Sequence, residues 1–260
     1  DRPVKYILDN AEENGLLKRG DTIVEATSGN TGISLAMMCA ERGYKCHIVM
    51  PSDMSEERKK MLRFFGAKLT LVDKGDFDGA IEYKEYIANK HGYFSLNQFN
   101  NPLNIECHQK TTCKEILFDT MLTDYDSQIS AFVGGTGTGG TLMGIQRGFE
   151  SHGIKSKIVA VEPSESPVMS GGEKGLHGIQ GIGDGSKFLV NLDKVDEVIT
   201  ISTEEAKERS LRLAKEHGLF VGISAGANVL ASERWIEQNK PDGMVVTILC
   251  DRGERYFSCL

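Results

Sequence analysis

The chain has 260 residues, of which 40% are hydrophobic and 26% charged, and its formal net charge is −7. This length and composition predict a globular protein of one large or two modest domains rather than a disordered chain. The acidic balance argues against a general nucleic-acid-binding protein, which carries a basic face, and no apolar run is long enough to predict a membrane span.

Short apolar runs alternate with amphipathic segments along the first part of the chain. The opening "DRPVKYIL" begins a helix, and each later run of β-forming residues is followed by a turn and a helical pattern. The predicted strands are 22–26, 45–51, 68–73 and 93–97. The predicted helices between them are 31–43, 55–66 and 79–92.

The same alternation continues in the second part of the chain. The predicted helices are 104–121, 141–153, 203–217 and 225–238, and the predicted strands are 129–134, 157–163, 197–202 and 243–251. Most of these strands are apolar with little alternation, which is expected when helices cover both faces of a parallel sheet. We therefore predict an α/β protein with two parallel-sheet units, 1–104 and 105–260, that meet near "FNNPLN" (99–104).

The six cysteines and six histidines give no pattern of a metal site or a disulfide framework. The cysteines form no CxxC pair, and the sequence has no HExxH motif. We therefore predict no bound metal and reduced, mostly buried thiols, as is typical of a cytoplasmic protein.

A glycine-rich turn, "GGTGTGGT" (134–141), lies between a predicted strand and a predicted helix. Gly135, Gly137 and Gly140 fit the spacing of a dinucleotide-binding turn, and Glu162 stands where such a fold places its ribose-binding acid. An NAD-dependent oxidoreductase is therefore one alternative, whereas a Walker loop is excluded because no Gly-Lys-Ser/Thr follows.

The threonines of this turn favour a different ligand. Thr136, Thr138 and Thr141 place hydroxyl groups among backbone N–H groups at the start of a helix. Such a density of donors suits the three terminal oxygens of a phosphate monoester better than a bridging pyrophosphate. A purely structural glycine turn is the third alternative.

A second polar turn, "EATSGNTG" (25–32), also follows a predicted strand and begins a helix. Thr27, Ser28, Asn30 and Thr31 add short side-chain donors to the N–H groups of that helix start. An α-carboxylate is a natural ligand for this arrangement. An ordinary helix cap is the alternative, because serine and asparagine are common at such positions.

Seven motifs together resemble one enzyme family over the whole chain. They are, in order, "EATSGNTGISLA", "FNNPLN", "GGTGTGGT", "VEPSES", "HGIQGIG", "GISAGAN" and "CDRGERYFS". The sequence resembles the pyridoxal-phosphate-dependent cysteine synthases (O-acetylserine sulfhydrylases), which share their fold with the catalytic core of cystathionine β-synthase. The resemblance implies the fold type II architecture, pyridoxal 5′-phosphate as cofactor and a homodimer. A non-catalytic relative of this family is a further alternative.

The resemblance also implies roles for individual residues. The phosphate of the cofactor would be held by Gly137, Thr138, Gly139, Gly140 and Thr141, its ring 3′-oxygen by Asn30 and its pyridine nitrogen by Ser224. The substrate would be bound by Thr27, Ser28, Asn30, Thr31, Gln98 and Gly181. The Schiff-base lysine of the family precedes an Asp-Arg pair, so we expect it immediately before Asp1 and Arg2.

The reaction that the resemblance implies is a ping-pong β-replacement on a β-substituted L-amino acid through an α-aminoacrylate. In the cysteine synthase form, O-acetylserine and sulfide give cysteine. The expected partners are therefore small amino-acid and thiol or sulfide substrates, with no nucleic acid and no membrane. Closure of a mobile part of the first unit, about residues 45–100, would exclude water from the bound substrate.

Asp184 departs from the family pattern, which generally has a small apolar residue at this place in "GIQGIGDGSKF" (178–188). Sulfide needs no base near neutral pH, whereas a thiol with a pKa of about 8.5, or a water, does. Asp184 is therefore a candidate catalytic residue that activates the second substrate in a reaction starting from L-cysteine. That reaction would release hydrogen sulfide with lanthionine or serine as the product. The alternative is a loop-capping aspartate that faces solvent.

Overall fold

The computed structural model describes residues 1–27, 29–121 and 128–259. Two compact units are present: Asp1–Leu103 together with Cys259, and Asn104–Ser258. Both units combine helices with a parallel sheet, so the predicted α/β organisation is confirmed. In the described part of the chain, no helix is both long enough and apolar enough to cross a membrane.

The first unit is a small parallel sheet between two helical layers. Its elements, in chain order, are α1 (Arg2–Glu13), β1 (Thr22–Ala26), α2 (Asn30–Arg42), β2 (Lys45–Pro51), α3 (Glu56–Phe64), β3 (Lys68–Val72) and α4 (Phe77–His91). The strands pair in the order β1-β2-β3. One core cluster packs α1, α2 and Leu62 of α3 against the sheet, and a second cluster packs α4 against Val24, Ala26 and Val49.

The second unit has the same layered plan with a larger sheet. Its elements are α5 (Pro102–Lys110), α6 (Thr112–Met121), β4 (Ile129–Gly135), α7 (Gly140–Ser151), β5 (Lys157–Pro163), β6 (Glu197–Ile201), α8 (Thr203–His217), α9 (Ile223–Asn239) and β7 (Met244–Thr247). Its strands pair in parallel in the order β6-β5-β4-β7. Helices α5 to α7 contribute to the core with Phe132 and Ile158, while α8 and α9 pack around Leu213 and Ala225.

Local sequence explains where most elements begin and end. Helix α8 begins with a capping box in which Ser202 and Glu205 satisfy each other's backbone N–H groups. Helices α2, α4 and α8 end at glycines in the left-handed region, with φ of 78°, 64° and 68°. Only glycine adopts this conformation without steric cost, so these helices stop where the sequence predicts.

Three predicted elements differ from the structure. The strand predicted at 93–97 is a single bridge between Phe94 and Ile23. The helix predicted at 104–121 begins at Pro102 and divides at Thr111, whose hydroxyl donates to the Cys107 carbonyl at 2.7 Å. Such back-bonding by threonine favours a break or bend in a helix. The last strand ends at Thr247 instead of 251, because the next carbonyl, of Ile248, accepts a hydrogen bond from the Asn228 side chain at 2.8 Å.

Candidate active site

The polar turn of the first unit connects the carboxyl end of β1 to the start of α2. The Thr27 backbone N–H donates to the Val49 carbonyl at 3.1 Å, and the Gly29 N–H donates to the Thr27 hydroxyl at 3.2 Å. A side chain on Gly32 would come within 2.8 Å of the Thr27 methyl group. The glycine therefore lets the helix start close against the turn, with its N–H groups directed past the end of the sheet.

Two predicted substrate residues that are far apart in sequence meet at this turn. The Thr31 hydroxyl donates to Oε1 of Gln98 at 2.8 Å, and Nε2 of Gln98 donates to the Ala26 carbonyl at 3.2 Å. Gln98 is buried, as is Thr27, whereas Asn30 and Thr31 are half-buried. The structure thus joins Thr31 and Gln98 at the end of β1. Ser28, which was predicted to act with them, lies outside the described residues.

Two buried ionisable groups that the sequence did not single out lie beside this turn. Glu25, the fourth residue of β1, is fully buried, and burial raises the pKa of its carboxyl to about 7. The Lys84 ammonium and the hydrogen bonds from Ala26 and Ser95 lower that pKa in part. Glu25 interrupts the apolar run "TIVEA", and this was the signal available in the sequence.

Arg58 of α3 is the second group, with a relative exposure of 1%. A side-chain carbon built on Gly29 would lie 3.9 Å from Nη1 of this arginine. A buried guanidinium next to the turn adds positive potential to a helix start that already favours anions. The sequence indicated only an amphipathic helix at 55–66, in which an arginine is expected to face solvent.

The glycine-rich turn of the second unit connects β4 to α7. Gly139 is the residue before the helix, and its φ of 86° lies in the left-handed region. A side chain there would also come within 2.6 Å of Val190, and one on Gly137 within 2.6 Å of the Gly181 carbonyl. Among the described residues, the backbone N–H groups of Gly137 and Gly139 donate to no protein atom. This close-packed turn therefore presents backbone donors at a helix start, which is the arrangement that binds phosphate.

The threonine hydroxyls of this turn differ in what they contact. The Thr138 hydroxyl accepts hydrogen bonds from the Gly140 N–H at 3.2 Å and from Nδ2 of Asn104 at 3.0 Å. The Thr141 hydroxyl is hydrogen-bonded to Nε2 of buried His108 at 3.2 Å. Both hydroxyls are thus held in place by residues that the sequence did not single out.

Thr136 does not match the expectation from the sequence. Its hydroxyl is directed to β5, with the Val161 carbonyl at 3.5 Å, and the residue is buried. Thr136 therefore stabilises the end of the sheet, and the donors of the turn come from the residues that follow it.

Asp184 lies close to the glycine-rich turn. The Gly183 N–H donates to the Thr136 carbonyl at 2.9 Å, which fastens the loop around Asp184 to the turn. A side-chain carbon built on Gly137 would lie 3.4 Å from Oδ2 of Asp184. Gly181 precedes it with a φ of 98°, so the loop reverses direction at that point. The half-buried Asp184 carboxylate therefore lies next to the turn, and its role as a base stays a prediction.

Ser224 lies in the first turn of α9 and is buried. The same helix carries Asn228, whose Oδ1 accepts a hydrogen bond from the Gly135 N–H at 2.8 Å. Asn228 thus links α9 directly to the start of the glycine-rich turn. The sequence motif "GISAGAN" contains both residues, but only Ser224 was assigned a role.

Glu162 does not serve as the predicted acid of a dinucleotide site. It is buried and accepts hydrogen bonds from the backbone N–H groups of Met169 at 2.7 Å and Ser170 at 2.9 Å. The Ser170 hydroxyl donates to it as well, at 2.6 Å. Because the carboxylate holds its own loop in this way, the ribose contact on which the oxidoreductase alternative depends is not available.

Comparison with known proteins identifies the class of enzyme to which this site belongs. Residues 1–251 match the family described as pyridoxal-phosphate dependent enzyme, and the chain belongs to that family. A cysteine synthase from Staphylococcus aureus (strain Mu50) is 42% identical over 263 residues, which cover 99% of this chain and 83% of the relative. The predicted family, its fold type and its enzymatic nature are therefore confirmed.

Two solved structures extend this comparison. A cysteine synthase from Entamoeba histolytica is 38% identical, with a TM-score of 0.90, covering 99% of this chain and 76% of that chain. A hydrogen sulfide-producing enzyme from Fusobacterium nucleatum is 39% identical, with a TM-score of 0.93, covering 99% of this chain and 78% of that chain. The similar proteins thus include a cysteine synthase and a hydrogen sulfide-producing enzyme, the two activities that the sequence left open.

The cofactor of the family, pyridoxal 5′-phosphate, is the cofactor of this protein. The residues of the second unit fit its phosphate, because the turn at 137–141 combines backbone donors with a left-handed glycine that approaches Val190 too closely to carry a side chain. A phosphate monoester at such a helix start is stabilised by the N–H groups and by the helix dipole.

Proposed function

We propose that this enzyme catalyses β-replacement on a β-substituted L-amino acid, with O-acetyl-L-serine and sulfide as substrates and L-cysteine as product. Two polar helix starts support the proposal, one suited to a phosphate in the second unit and one suited to a carboxylate in the first. The Thr31–Gln98 hydrogen bond at the end of β1 is the observation that carries it, because it joins two residues expected to bind the same carboxylate.

In this proposal the first unit binds the amino acid through its carboxylate. Thr27, Asn30, Thr31 and Gln98 would supply hydroxyl and amide donors to the carboxylate, and Ser28 is expected to act with them. The half-buried positions of Asn30 and Thr31 leave them accessible to a ligand. Helix α2 and the buried guanidinium of Arg58 add favourable potential for an anion. The carboxylate is thereby held in a fixed orientation before the β-substituent leaves.

The second unit holds the cofactor, which supplies the electron sink for the reaction when bound. Gly137, Thr138, Gly139, Gly140 and Thr141 would bind the phosphate. By the family resemblance, Asn30 would donate to the ring 3′-oxygen, Gly181 would border the substrate, and Ser224 would meet the pyridine nitrogen. A serine hydroxyl, unlike a carboxylate, need not keep that nitrogen protonated, so the electron sink would be modest, which suits elimination of a leaving group.

A steady-state screen of the natural holoenzyme tests the proposal. O-acetyl-L-serine, O-phospho-L-serine, L-serine and L-cysteine serve as first substrates, and sulfide, L-cysteine and L-homocysteine as second substrates. We expect cysteine formation from O-acetyl-L-serine and sulfide to have the highest kcat/KM. If no first substrate supports replacement while the visible absorbance of the cofactor is present, the proposal is wrong.

A second candidate reaction starts from L-cysteine and releases hydrogen sulfide, with lanthionine or serine as the other product. The position of the Asp184 carboxylate beside Gly137 favours it, because a base at this place could take the proton from a thiol or a water that adds as second substrate. The similarity to a hydrogen sulfide-producing enzyme is consistent with this candidate.

Asp184→Asn distinguishes the two reactions, and Asp193→Asn, an exposed aspartate of the same unit, is the matched control. If Asp184 acts as the base, Asp184→Asn should lose the steady-state release of hydrogen sulfide from L-cysteine. It should keep the formation of L-cysteine from O-acetyl-L-serine and sulfide. Unchanged rates of both reactions in Asp184→Asn would exclude the role for this residue.

A homodimer and a cytoplasmic location also remain predictions. Sedimentation equilibrium of the natural protein tests the first, with twice the monomer mass as the expected result. Fractionation of the source cells tests the second, with the enzyme expected among the cytoplasmic proteins.

A further inference from the structure

The segment that carries Gln98 is held against the end of β1 by side-chain contacts where a sheet ladder would otherwise continue. Phe94 pairs with β1, since its carbonyl accepts from the Val24 N–H at 2.8 Å and its N–H donates to the Thr22 carbonyl at 3.1 Å. Beyond Phe94 the backbone pairing with β1 stops, and the next contact with β1 is made by the carboxylate of Glu25. Its Oε2 accepts from the Ser95 hydroxyl at 3.4 Å.

The same carboxylate accepts one further hydrogen bond and is linked to the turn before Gln98. Oε1 of Glu25 accepts from the Ala26 N–H at 3.1 Å, and the Asn97 N–H donates to the Ser95 hydroxyl at 3.3 Å, which itself donates to Oε2 of Glu25. Asn97 has a φ of 53°, in the left-handed region, and its carbonyl accepts from the N–H groups of Asn100 and Asn101 at 2.9 Å each. Glu25 is therefore linked through Ser95 to the sharp turn that comes directly before Gln98.

Lys84 of α4 holds this turn from the other side. Its ammonium donates to Oδ1 of Asn97 at 2.8 Å, and the lysine is 3% exposed. It is also 3.8 Å from the carboxylate of Glu85, which is exposed. From β2, the residue paired with Glu25 is the apolar Ile48. The buried charges around the turn are thus Glu25 and Lys84, with the Ser95 hydroxyl between the strand and the turn.

We propose that Glu25 is a positioning residue, which with Lys84 fixes the Asn97 turn and thereby the orientation in which Gln98 binds the carboxylate of the amino-acid substrate. This inference rests on the proposed role of Gln98 in substrate binding. A carboxylate can accept from both the Ala26 N–H and the Ser95 hydroxyl, whereas a protonated carboxyl keeps one oxygen as a donor and loses part of this capacity. The ionised form of Glu25 is therefore the form that orders the turn.

The titration of Glu25 makes the inference testable. Because burial raises the pKa of this carboxyl to about 7, we expect the turn to be more ordered at pH 8 than at pH 6. Equilibrium titration of the holoenzyme with L-serine, followed by the absorbance of the bound cofactor, measures amino-acid affinity without involving the ionisation of sulfide.

The first variant is Glu25→Gln, and the exposed Glu82→Gln on α4 is the matched control. The amide keeps the size of the side chain but presents an NH₂ group to donors, so we expect the dissociation constant for L-serine to rise about tenfold at pH 8. At pH 6 the wild-type carboxyl is itself protonated, so the ratio of variant to wild type should fall below about three. We expect kcat with O-acetyl-L-serine and sulfide at pH 8 to change less than about twofold, because Gln98 contacts the carboxylate and not the reacting atoms.

A second variant keeps the test valid if Glu25→Gln does not fold. Lys84→Met removes the positive charge that lowers the pKa of Glu25, so the pH at which L-serine affinity falls should move upwards. A merely structural contribution of Lys84 would not move that midpoint.

The outcomes are distinct. The inference is overturned if the L-serine dissociation constants of Glu25→Gln and wild type are nearly equal at pH 8, or if their ratio is the same at pH 6 and pH 8. It is also overturned if Lys84→Met does not change the pH at which L-serine affinity falls. If the wild-type holoenzyme shows no absorbance change with L-serine, O-acetyl-L-serine or L-cysteine, the proposed function fails and the inference fails with it. A responsive wild type with an unaffected Glu25→Gln variant refutes the inference alone.

Discussion

Replacing Glu25 with glutamine should make the first unit more stable at alkaline pH. The wild-type carboxyl is fully buried at the end of β1, and its pKa is raised from 4.5 to about 7 by burial. A carboxyl whose pKa is higher in the folded state binds its proton more tightly there than in the unfolded chain. Its contribution to stability is therefore fully present below pH 4.5 and is lost as the pH rises through 7.

The size of this effect follows from the two pKa values. From 4.5 to 7 the wild-type protein loses about 3 kcal/mol of unfolding free energy through this group, at about 1.4 kcal/mol for each pH unit. Glutamine has nearly the same shape as the neutral acid and does not ionise. The variant should therefore exceed the stability of the wild type by less than about 1 kcal/mol near pH 5 and by up to about 3 kcal/mol at pH 8.

Hydrogen exchange at β1 is the appropriate assay. The single tryptophan of the chain is Trp235, in the second unit, so tryptophan fluorescence does not report on the unit that carries Glu25. Exchange of the amides of Thr22–Ala26, compared between variant and wild type at one pH, cancels the pH dependence of intrinsic exchange. We expect exchange in Glu25→Gln to be slower by up to about 300-fold at pH 8 and by less than about fivefold at pH 5.

The control and the refuting result are both clear. Glu82→Gln makes the same chemical change at an exposed position of α4, and it should exchange like the wild type at both pH values. If the ratio for Glu25→Gln is the same at pH 5 and pH 8, the reasoning about a buried, ionising carboxyl is wrong. If exchange in Glu25→Gln is faster than in the wild type at pH 8, ionised Glu25 stabilises the fold, and burial does not make its ionisation unfavourable.

Three further predictions concern other residues. Thr31→Val removes the hydrogen bond to Gln98, and KM for O-acetyl-L-serine should rise about two- to tenfold in steady-state assays, with Thr70→Val as a control outside the turn. Gly139→Ala forces a side chain into the left-handed region next to Val190; fluorescence titration should show cofactor binding weakened by about 1–3 kcal/mol, and unchanged binding would contradict the proposed cradle. Ser202→Ala removes the cap of α8 and should lower the urea unfolding free energy of the second unit by about 1 kcal/mol, followed by Trp235, whereas Ser186→Ala in an exposed loop should not.

The two polar turns could be predicted from the sequence because each one is local. Gly137 and Gly139 lie within a few residues of the helix start that they serve, so spacing alone indicates a phosphate-binding turn. The same holds for Thr27 and Thr31 beside α2. The contact between Thr31 and Gln98 spans 67 residues, and no local pattern predicts it; here the resemblance to the family supplied what the spacing could not.

The residues that hold these turns were missed for a common physical reason. Sequence patterns place charged residues on exposed faces, which is right for most of them, yet Arg58, Lys84 and Glu25 are buried. These residues are buried because of tertiary contacts near the turns, and such contacts cannot be read from local sequence patterns. The strand predicted at 93–97 is limited to the backbone pairing of Phe94 with β1, and the Ser95 hydroxyl that follows donates to the Glu25 side chain.

A buried carboxyl with a pKa near 7 destabilises the unit that contains it at neutral and alkaline pH. A glutamine would fill the same space without this cost, and a purely structural position would favour such a residue. Glu25 is linked through Ser95 to the Asn97 turn that precedes Gln98, and a carboxylate is the group that accepts from both the Ala26 N–H and the Ser95 hydroxyl. The opposite signs expected for Glu25→Gln at pH 8, higher stability and weaker binding of L-serine, therefore separate a functional role from a structural one. A variant that loses stability and binding together would indicate that Glu25 only supports the fold.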